Sequence, residues 1–201
     1  MDNPVEKAQG IEGWMFPEEL EWLYEAAKRM ASIVEFGCYK GRSTYVLCSG
    51  CQGKVYAVDC HYSETLRPYV DSLQHTFPEF MQNVGHFLNL VPLEMDFVDA
   101  AAPGIIPPKV DMVFIDGDHA YASVLDDLKT WAPRARKLIC GHDLNNENKH
   151  DSPGVGEALE EFCGMQGVFR GPGSIWYMDV KGELYASQIR NEPGNSEFEH
   201  Q

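Results

Sequence analysis

Residues 34–44 read VEFGCYKGRST, and this stretch decides the fold that the rest of the sequence predicts. An apolar run ends with the acid Glu35, two glycines follow at Gly37 and Gly41, and a helix opens after them. Glycine lets a backbone turn tightly and approach a ligand closely. The spacing Gly-x-x-x-Gly differs from the Gly-x-Gly-x-x-Gly of dinucleotide-binding proteins, whose turn holds a pyrophosphate at a helix N-terminus. The stretch therefore predicts a strand, a ligand-binding turn and a helix, and it argues against a nicotinamide dehydrogenase.

Outward from this stretch, strand and helix patterns alternate along the chain. Such alternation predicts a mostly parallel sheet with helices on both faces, a doubly wound, Rossmann-like α/β fold. The first helix begins at Pro17, with Glu18 and Glu19 facing the positive end of the helix dipole. The last two apolar runs, 167–170 and 174–180, are joined by three residues and should pair antiparallel, because the connection is too short for a helical crossover. The predicted strands are 33–36, 54–59, 90–95, 110–116 and 137–141, and the predicted helices are 17–30, 41–49, 121–131 and 154–162, with further helical pieces between 63 and 85.

The composition is that of an ordinary globular protein. With 201 residues, 44% of them apolar and 23% charged, the chain is expected to form a single domain over residues 1–190, followed by a mobile polar tail at 191–201. The formal net charge of −15 repels phosphate backbones and anionic lipid headgroups, so neither nucleic acid nor a membrane is an expected partner. The polar segment 145–153 follows a predicted strand end, where it could act as a lid.

The six cysteines and the apolar patterning bear on the compartment. Residues 1–10 lack the basic and apolar pattern of a signal peptide, and no stretch reaches the roughly 18 apolar residues that span a bilayer. The chain is therefore expected in the cytoplasm with reduced thiols. Cys48-x-x-Cys51 followed by Cys60-His61 raises the alternative of a zinc site, but Cys48 lies in an apolar helical pattern, where cysteine acts as a small apolar residue.

Two further strand ends carry side chains that suit a nucleoside. The second predicted strand ends at Asp59, about twenty residues after Gly37, which is the usual separation between a glycine turn and an acid that accepts ribose hydroxyls. The third strand delivers Asp96 and Phe97, an acid and a ring suited to the edge and the face of an adenine. Each has an ordinary alternative, because acids also cap strand ends and phenylalanines fill cores.

In combination and in order, these motifs closely resemble class I S-adenosylmethionine-dependent methyltransferases over residues 13–180. The resemblance rests on the pattern from Glu35 to Thr44, on Asp59 and Asp96, and on FIDGDHAY at 114–121 and GHD at 141–143. It is greatest for the bacterial small-molecule O-methyltransferases that include macrolide-sugar and cephalosporin-biosynthesis methyltransferases. This branch implies a seven-stranded sheet, mostly parallel, with an antiparallel last strand.

The resemblance also implies which residues bind S-adenosylmethionine. The acid and glycines of the first turn would hold the methionine end, the acid after the second strand the ribose, and the acid after the third strand the adenine. The residues carried over to the cofactor are Glu35, Gly37, Gly41, Ser43, Asp59, Asp96, Phe97 and Asp116.

Methyl transfer from a sulfonium is an in-line displacement, so the site needs alignment and a way to deprotonate a hydroxyl. Metal-dependent relatives place ligands at the ends of the fourth and fifth strands, where this chain has Asp116, His142 and Asp143. These three residues are the predicted ligands of a divalent cation, Mg²⁺ or another, and histidine suits softer ions better than Mg²⁺. His119 falls where those relatives carry a lysine, and it is either a catalytic base or a structural histidine.

Two alternatives stand beside the metal-dependent enzyme. One is a metal-independent methyltransferase in which His119 or His142 is the catalytic base, and the other is a non-catalytic Rossmann-like protein that binds the cofactor. The presence of Asp116, His119 and Asp143 favours catalysis. The expected acceptor is a small molecule with a hydroxyl group; nitrogen and carbon acceptors stay open, as does a homo-oligomeric state.

Overall fold

The computed structural model describes residues 3–61, 75–144 and 153–180, and a seven-stranded sheet lies at its centre. In chain order the strands are β1 (Ser32–Phe36), β2 (Lys54–Asp59), β3 (Leu90–Glu94), β4 (Val110–Ile115), β5 (Ala135–Gly141), β6 (Phe169–Arg170) and β7 (Trp176–Asp179). Across the sheet they follow the order β3-β2-β1-β4-β5-β7-β6. Strands β1 to β5 are parallel, whereas β7 is antiparallel to both β5 and β6. The predicted α/β sheet with an antiparallel last strand is confirmed.

Helices connect these strands. In chain order they are α1 (Pro4–Gln9), α2 (Pro17–Ala27), α3 (Arg42–Gly50), α4 (Phe77–Val84), α5 (Phe97–Ala100), α6 (Tyr121–Trp131) and α7 (Pro153–Cys163), and a 3₁₀ turn spans Ala132–Arg134. Helix α2 begins at the predicted Pro17. Helices α1 and α5 were not predicted; the side chains of Asn3 and Asp96 cap them by accepting a backbone N–H. Within residues 3–61, 75–144 and 153–180, no helix has the length and apolarity to cross a membrane.

Some predicted segments lie outside the described residues. Helix α4 is the described part of the helical pieces predicted between 63 and 85. The structure does not describe residues 62–74, the rest of that stretch. It also does not describe the lid predicted at 145–153, apart from Pro153, the tail predicted at 191–201 or the predicted domain end at residue 190.

The sheet buries apolar side chains on both faces. Every residue of β4 is buried. On one face, Leu23 of α2 and Leu47 of α3 pack in the same core as Met112 of β4. On the other face, Trp131 of α6 and Leu159 of α7 belong to the second core. Because full burial of such a side chain contributes about 1.5–3 kcal/mol, these two layers fix the helices, and with them the loops at the carboxyl edge of the sheet.

The strand order reverses between β1 and β4, since β2 and β3 extend the sheet on one side and β5 extends it on the other. In open α/β sheets, ligands bind in the crevice outside the carboxyl ends of the strands at such a reversal. The turn after β1 touches the end of β4 there, and a Cβ at Gly37 would lie 2.0 Å from the carbonyl oxygen of Asp116. The residues that follow β1, β2 and β4 therefore form one candidate site.

The segment before α2 is tied to the start of α3. The Arg42 guanidinium donates from Nη1 to the carbonyl oxygens of Gly13 at 2.5 Å and Met15 at 3.0 Å. Between α1 and α2, Glu12 accepts a hydrogen bond from Lys40 Nζ at 2.8 Å. The N-terminal segment is therefore anchored against the turn that follows β1.

Of the cysteines of the zinc alternative, Cys48 and Cys51 lie in the core, whereas Cys60 is exposed. Cys48 and Cys51 are buried among apolar side chains, and burial raises the pKa of both thiols above the usual value. Cys48 and Cys51 therefore act as small apolar residues.

Candidate active site

Glu35, the acid that begins the first motif, has a fully buried side chain. The hydroxyl of Thr44 donates to Oε2 at 2.7 Å, while Oε1 has no hydrogen-bond partner among the described residues. Burial raises the pKa of Glu35 to about 7, and the charges of Asp116 and Asp59 add to the rise. Because an unpartnered buried oxygen is unfavourable, Oε1 is a candidate acceptor for a bound ligand or a water molecule.

The turn after β1 has a backbone that glycine adopts most readily. Gly37 and Gly41 have φ angles of 84° and 93°, in the left-handed region. A Cβ at Gly41 would lie 3.0 Å from Val84 Cγ1, so helix α4 packs closely against this turn. Ser43 lies in the first turn of α3 and is buried behind the glycines. Both the conformation and the packing therefore explain the two glycines.

Asp59 ends β2, and its carboxylate lies against the same turn. Oδ2 accepts the backbone N–H groups of Cys38 at 2.7 Å and Tyr39 at 2.8 Å, and Oδ1 accepts that of His61 at 2.6 Å. A carboxylate has about four acceptor positions. The three bonds leave room for about one ribose hydroxyl, so Asp59 holds the turn in shape in addition to its predicted role.

Asp96 and Phe97 lie at the carboxyl edge beyond β3. Asp96 is exposed, and its Oδ1 accepts the N–H of Val98 at 2.9 Å as the N-cap of α5. The ring of Phe97 lies 5.1 Å from that of Phe36, and a Cβ at Gly117 would lie 2.5 Å from Phe97 Cε2. The predicted adenine residues thus lie on the β3 side of the crevice, with Phe97 in contact with the loop after β4.

Two acids and two histidines meet at the ends of β4 and β5, and we call them the acid–histidine cluster: Asp116, His119, His142 and Asp143. His119 Nε2 lies 3.1 Å from Asp143 Oδ2 and 3.7 Å from Asp116 Oδ1. His142 Nδ1 lies 3.1 Å from Asp143 Oδ2 and 3.6 Å from Asp116 Oδ1. One potential ligand atom each from Asp116, His142 and Asp143 lies within 4.8 Å of the other two. The structure thus brings together every residue predicted as a base or a metal ligand.

The two histidines differ in exposure and in contacts. The side chain of His142 is 9% exposed, and both ring nitrogens face carboxylates, Nδ1 that of Asp143 and Nε2 that of Glu19 at 3.0 Å. Burial alone would lower the pKa of His142, but Asp116, Asp143 and Glu19 raise it to about 11. Burial likewise opposes the charge on His119, whose pKa is nevertheless raised by Asp116 and Asp143. With 31% of its side chain exposed, His119 is the histidine that a ligand can reach.

Burial also acts on the acids of the cluster. It raises the pKa of Asp116 above its usual value; the charges of His142 and His119 oppose this rise, and that of Asp143 adds to it. Asp143 has a φ angle of 63°, which a residue with a side chain seldom adopts. Such backbone conformations cluster at functional sites.

Glu19 is the contact that the sequence analysis missed. Its side chain is 1% exposed and lies under His142. A signal was available, because Glu19 precedes Leu23 and Ala27 by four and eight residues and so shares the apolar face of α2. An acid on such a face needs a polar partner, although the pattern does not say which one.

Comparisons with known proteins identify the family of this chain. A family model described as a methyltransferase domain matches residues 34–144, from β1 to the end of the acid–histidine cluster. The protein y4gI of Sinorhizobium fredii, described as uncharacterized, is 28% identical over 130 residues, which make up 61% of this chain and 14% of that protein. The chain thus spans a small part of the length of this curated relative.

Two solved structures share the fold. The O-methyltransferase from Bacillus cereus in complex with SAH has a TM-score of 0.62 and 16% identity, over 89% of this chain and 91% of that one. The O-methyltransferase TomG from Streptomyces achromogenes, which takes part in tomaymycin synthesis and was solved with SAM, has a TM-score of 0.59 and 13% identity, over 89% of this chain and 90% of that one.

Proposed function

The chain belongs to the methyltransferase-domain family, and from that premise we propose that it transfers a methyl group from S-adenosylmethionine to a hydroxyl of a small molecule. The observation that carries the proposal is the acid–histidine cluster, whose partly exposed His119 contacts two carboxylates beside the turn of the cofactor motif. The O-methyltransferases with the same fold were solved with SAH and SAM, which supports the choice of cofactor and of reaction.

The residues of the crevice fit S-adenosylmethionine. Acids stand at or beyond the ends of three adjacent strands, Glu35 on β1, Asp59 on β2 and Asp96 after β3, and the cofactor carries positive charge on its sulfonium and ammonium groups. The unpartnered Glu35 Oε1 and the glycine turn would serve the methionine end. Asp59 would hold the ribose, and Asp96 and Phe97 the adenine. When bound, the cofactor supplies an electrophilic methyl group on its sulfonium sulfur. Loss of this methyl group turns the sulfonium into a neutral thioether.

His119 is the proposed base. Its Nδ1 would accept the proton of the acceptor hydroxyl as the oxygen attacks the methyl carbon, because Nε2 faces the carboxylates of Asp143 and Asp116. The carboxylate of Asp143, 3.1 Å from Nε2, would stabilise the imidazolium that results. His142 is unsuited to this task, because each of its ring nitrogens already faces a carboxylate.

A divalent cation fits the same cluster. Asp116, His142 through Nδ1, and Asp143 would hold it, because Nδ1 lies 3.6 Å from Asp116 Oδ1 and 3.1 Å from Asp143 Oδ2. Two ligands of one ion at metal–ligand distances of about 2.0–2.2 Å can lie up to about 4.4 Å apart. A cation there would lower the pKa of a bound hydroxyl. The two carboxylates suit manganese or magnesium, and the histidine suits iron or zinc. The metal-free alternative has its own support, since a protonated His142 also places positive charge among Glu19, Asp116 and Asp143.

The test combines turnover with chelation. The protein is incubated with S-adenosylmethionine and a library of hydroxylated metabolites, and mass spectrometry seeks an acceptor that gains one methylene unit. If the cation is required, a chelator abolishes this gain while binding of S-adenosylhomocysteine survives, and added Mn²⁺ restores it. Turnover that resists chelation selects the metal-independent enzyme with His119 as base. Binding of the cofactor without turnover on any acceptor would favour the non-catalytic alternative.

A further inference from the structure

Glu19 joins three parts of the chain that are distant in sequence. It lies in the first turn of α2 and makes a hydrogen bond through Oε2 with the N–H of Phe16 at 2.7 Å. Oε1 accepts from the Ser174 backbone N–H at 2.9 Å and lies 3.0 Å from His142 Nε2. The backbone closes over this oxygen, since a Cβ at Gly173 would lie 2.1 Å from it. The pocket around Glu19 is therefore shaped for a carboxylate.

This arrangement exceeds what capping a helix requires. A cap at this position uses one carboxylate oxygen, here Oε2, and works at the exposed surface. Burying a carboxylate is unfavourable unless donors surround it. Burial alone would raise the pKa of Glu19, yet the hydrogen bonds from His142, Ser174 and Phe16 lower it below the usual value. Oε1 thus takes no part in capping the helix, and its side-chain partner in the acid–histidine cluster is His142.

We propose that Glu19 is a positioning residue that holds a proton on Nε2 of His142 and thereby directs Nδ1 toward Asp116 and Asp143. An imidazole ring has two nitrogens, so a bond at one of them fixes both the ring orientation and the role of the other. Carboxylates behind metal-binding histidines have this effect in general. The inference rests on the proposed function for its consequence, because Nδ1, which faces Asp116 and Asp143, is the atom that would bind the cation.

A second contact links Glu19 to Asp143 of the acid–histidine cluster. Ser174 Oγ lies 3.3 Å from Glu19 Oε1, to which it donates, and accepts the backbone N–H of Asp143 at 3.2 Å. Asp143 is the cluster residue with the left-handed backbone. Glu19 therefore supports His142 directly and Asp143 through Ser174.

The test reads the ring nitrogens of His142 without reference to activity. Long-range ¹H–¹⁵N correlation spectra of the ¹⁵N-histidine-labelled full chain at neutral pH are recorded for the wild type and for Glu19→Ala, which removes the accepting oxygen, with His142→Gln assigning the signals. We expect a protected Nε2–H on His142 in the wild type and its loss in Glu19→Ala. Glu18→Ala is the matched control, since Glu18 is the exposed neighbouring acid in the same helical turn. An unprotonated Nε2 in the wild type, or an unchanged signal in Glu19→Ala, overturns the inference.

Metal and cofactor binding separate a positioning role from a merely structural one. With Mn²⁺ alone as the probe, Glu19→Ala should bind about ten- to a hundredfold more weakly than the wild type, the usual cost of losing a carboxylate that holds a metal ligand, while affinity for S-adenosylhomocysteine stays unchanged. A parallel loss of both affinities overturns the positioning role. If the wild type binds no Mn²⁺, the metal part of the proposed function fails, and the Nε2–H signal still decides the role of Glu19. Should Glu19→Ala not fold, Glu19→Asp keeps the charge but shortens the reach, and the signal should weaken there.

Discussion

At the scale of single residues, the two histidines of the acid–histidine cluster have different surroundings although they share an acid. His119 and His142 each lie 3.1 Å from Asp143 Oδ2. His142 has a second carboxylate behind it, whereas part of the His119 ring faces outward. A group that must receive a proton from a ligand has to be within its reach. This difference favours His119 over His142 for the proposed proton transfer, and it favours His142 for the proposed fixed charge or metal contact.

Replacement of His119 by alanine is expected to lower kcat about a hundredfold or more, the contribution typical of a general base. Affinity for S-adenosylhomocysteine should largely persist, because the proposed cofactor residues other than Asp116 lie on β1 and the turn and helix after it, at the end of β2 and beyond β3. Steady-state kinetics on the identified acceptor and calorimetric titration measure the two quantities. The control is His86→Ala, which alters an exposed histidine that lies against Phe87. Full turnover in His119→Ala would remove this residue from the chemistry.

Asp127 is a buried acid outside the candidate site. It lies in α6, its side chain is buried, and Oδ2 has no hydrogen-bond partner within the described part of the chain. Burial raises the pKa of Asp127 to about 7, and the charges of Asp96, Asp126 and Asp118 add to the rise. In the folded protein the proton is therefore retained to a higher pH than in the unfolded chain, where an aspartate has a pKa of about 3.9. The contribution of Asp127 to the free energy of unfolding is therefore fully present below about pH 4, and it is lost as the pH rises toward 7.

Replacement of Asp127 by asparagine removes this pH-dependent loss. The variant should gain stability relative to the wild type on going from pH 5 to pH 8, by an amount on the order of 1–3 kcal/mol, because each pKa unit corresponds to about 1.4 kcal/mol and relaxation reduces the full effect. Urea unfolding at the two pH values measures the difference. Asp126→Asn, at an exposed position of the same helix, should show no such gain. A constant difference between Asp127→Asn and the wild type across this range would show that Asp127 is ionised in the fold.

At the scale of elements, the contact between the turn after β1 and the end of β4 sets the width of the crevice. Gly37 permits this contact through its φ angle of 84° and its missing side chain. Gly104 provides a matched case, with a φ angle of 90° and no atom within 4 Å of the position that a Cβ would take. The two glycines share the backbone requirement and differ in packing.

Gly37→Ala should therefore destabilise the fold far more than Gly104→Ala. The backbone term, about 1 kcal/mol for an alanine with left-handed φ, applies to both variants. At Gly37, a Cβ 2.0 Å from the Asp116 carbonyl must also push β1 and β4 apart. Thermal unfolding of the two variants measures the difference, and binding of S-adenosylhomocysteine should be lost in Gly37→Ala alone. Similar melting temperatures for the two variants would mean that the end of β4 can shift at little cost in free energy.

At the scale of the whole molecule, the sheet, both helical layers and the crevice form one unit that a ligand stabilises as a whole. S-adenosylmethionine or S-adenosylhomocysteine at a hundred times its dissociation constant should add about 2.7 kcal/mol to the free energy of unfolding. For a chain of this size, the melting temperature should rise by about 5–10 °C. NAD should give no shift, because the turn lacks the three-glycine pattern that holds a pyrophosphate. Differential scanning fluorimetry provides the measurement, and a shift with NAD but not with the adenosyl ligands would reverse the cofactor assignment.

The sequence by itself was sufficient for the order of the strands and of five of the seven helices within the described residues, because hydrophobic periodicity and turn residues are local properties. The alternation around Gly37 and Gly41 indicated a parallel sheet, and the short link between the last two apolar runs indicated the antiparallel end. It also placed Asp116, His119, His142 and Asp143 near one edge, since the carboxyl ends of parallel strands share an edge. Helices α1 and α5 were not predicted, because their six and four residues carry little periodic signal.

Only the tertiary structure decided which of these residues touch and how each is held. Glu19 and His142 are 123 positions apart, and their contact depends on how α2 packs against the end of β5. Asp59 proved to hold the turn after β1, because the register of β1 on β2 brings its carboxylate to two N–H groups of that turn. Local patterns specify the face on which a side chain lies. The partner that it meets there depends on the packing of elements from distant parts of the chain, which no local pattern contains.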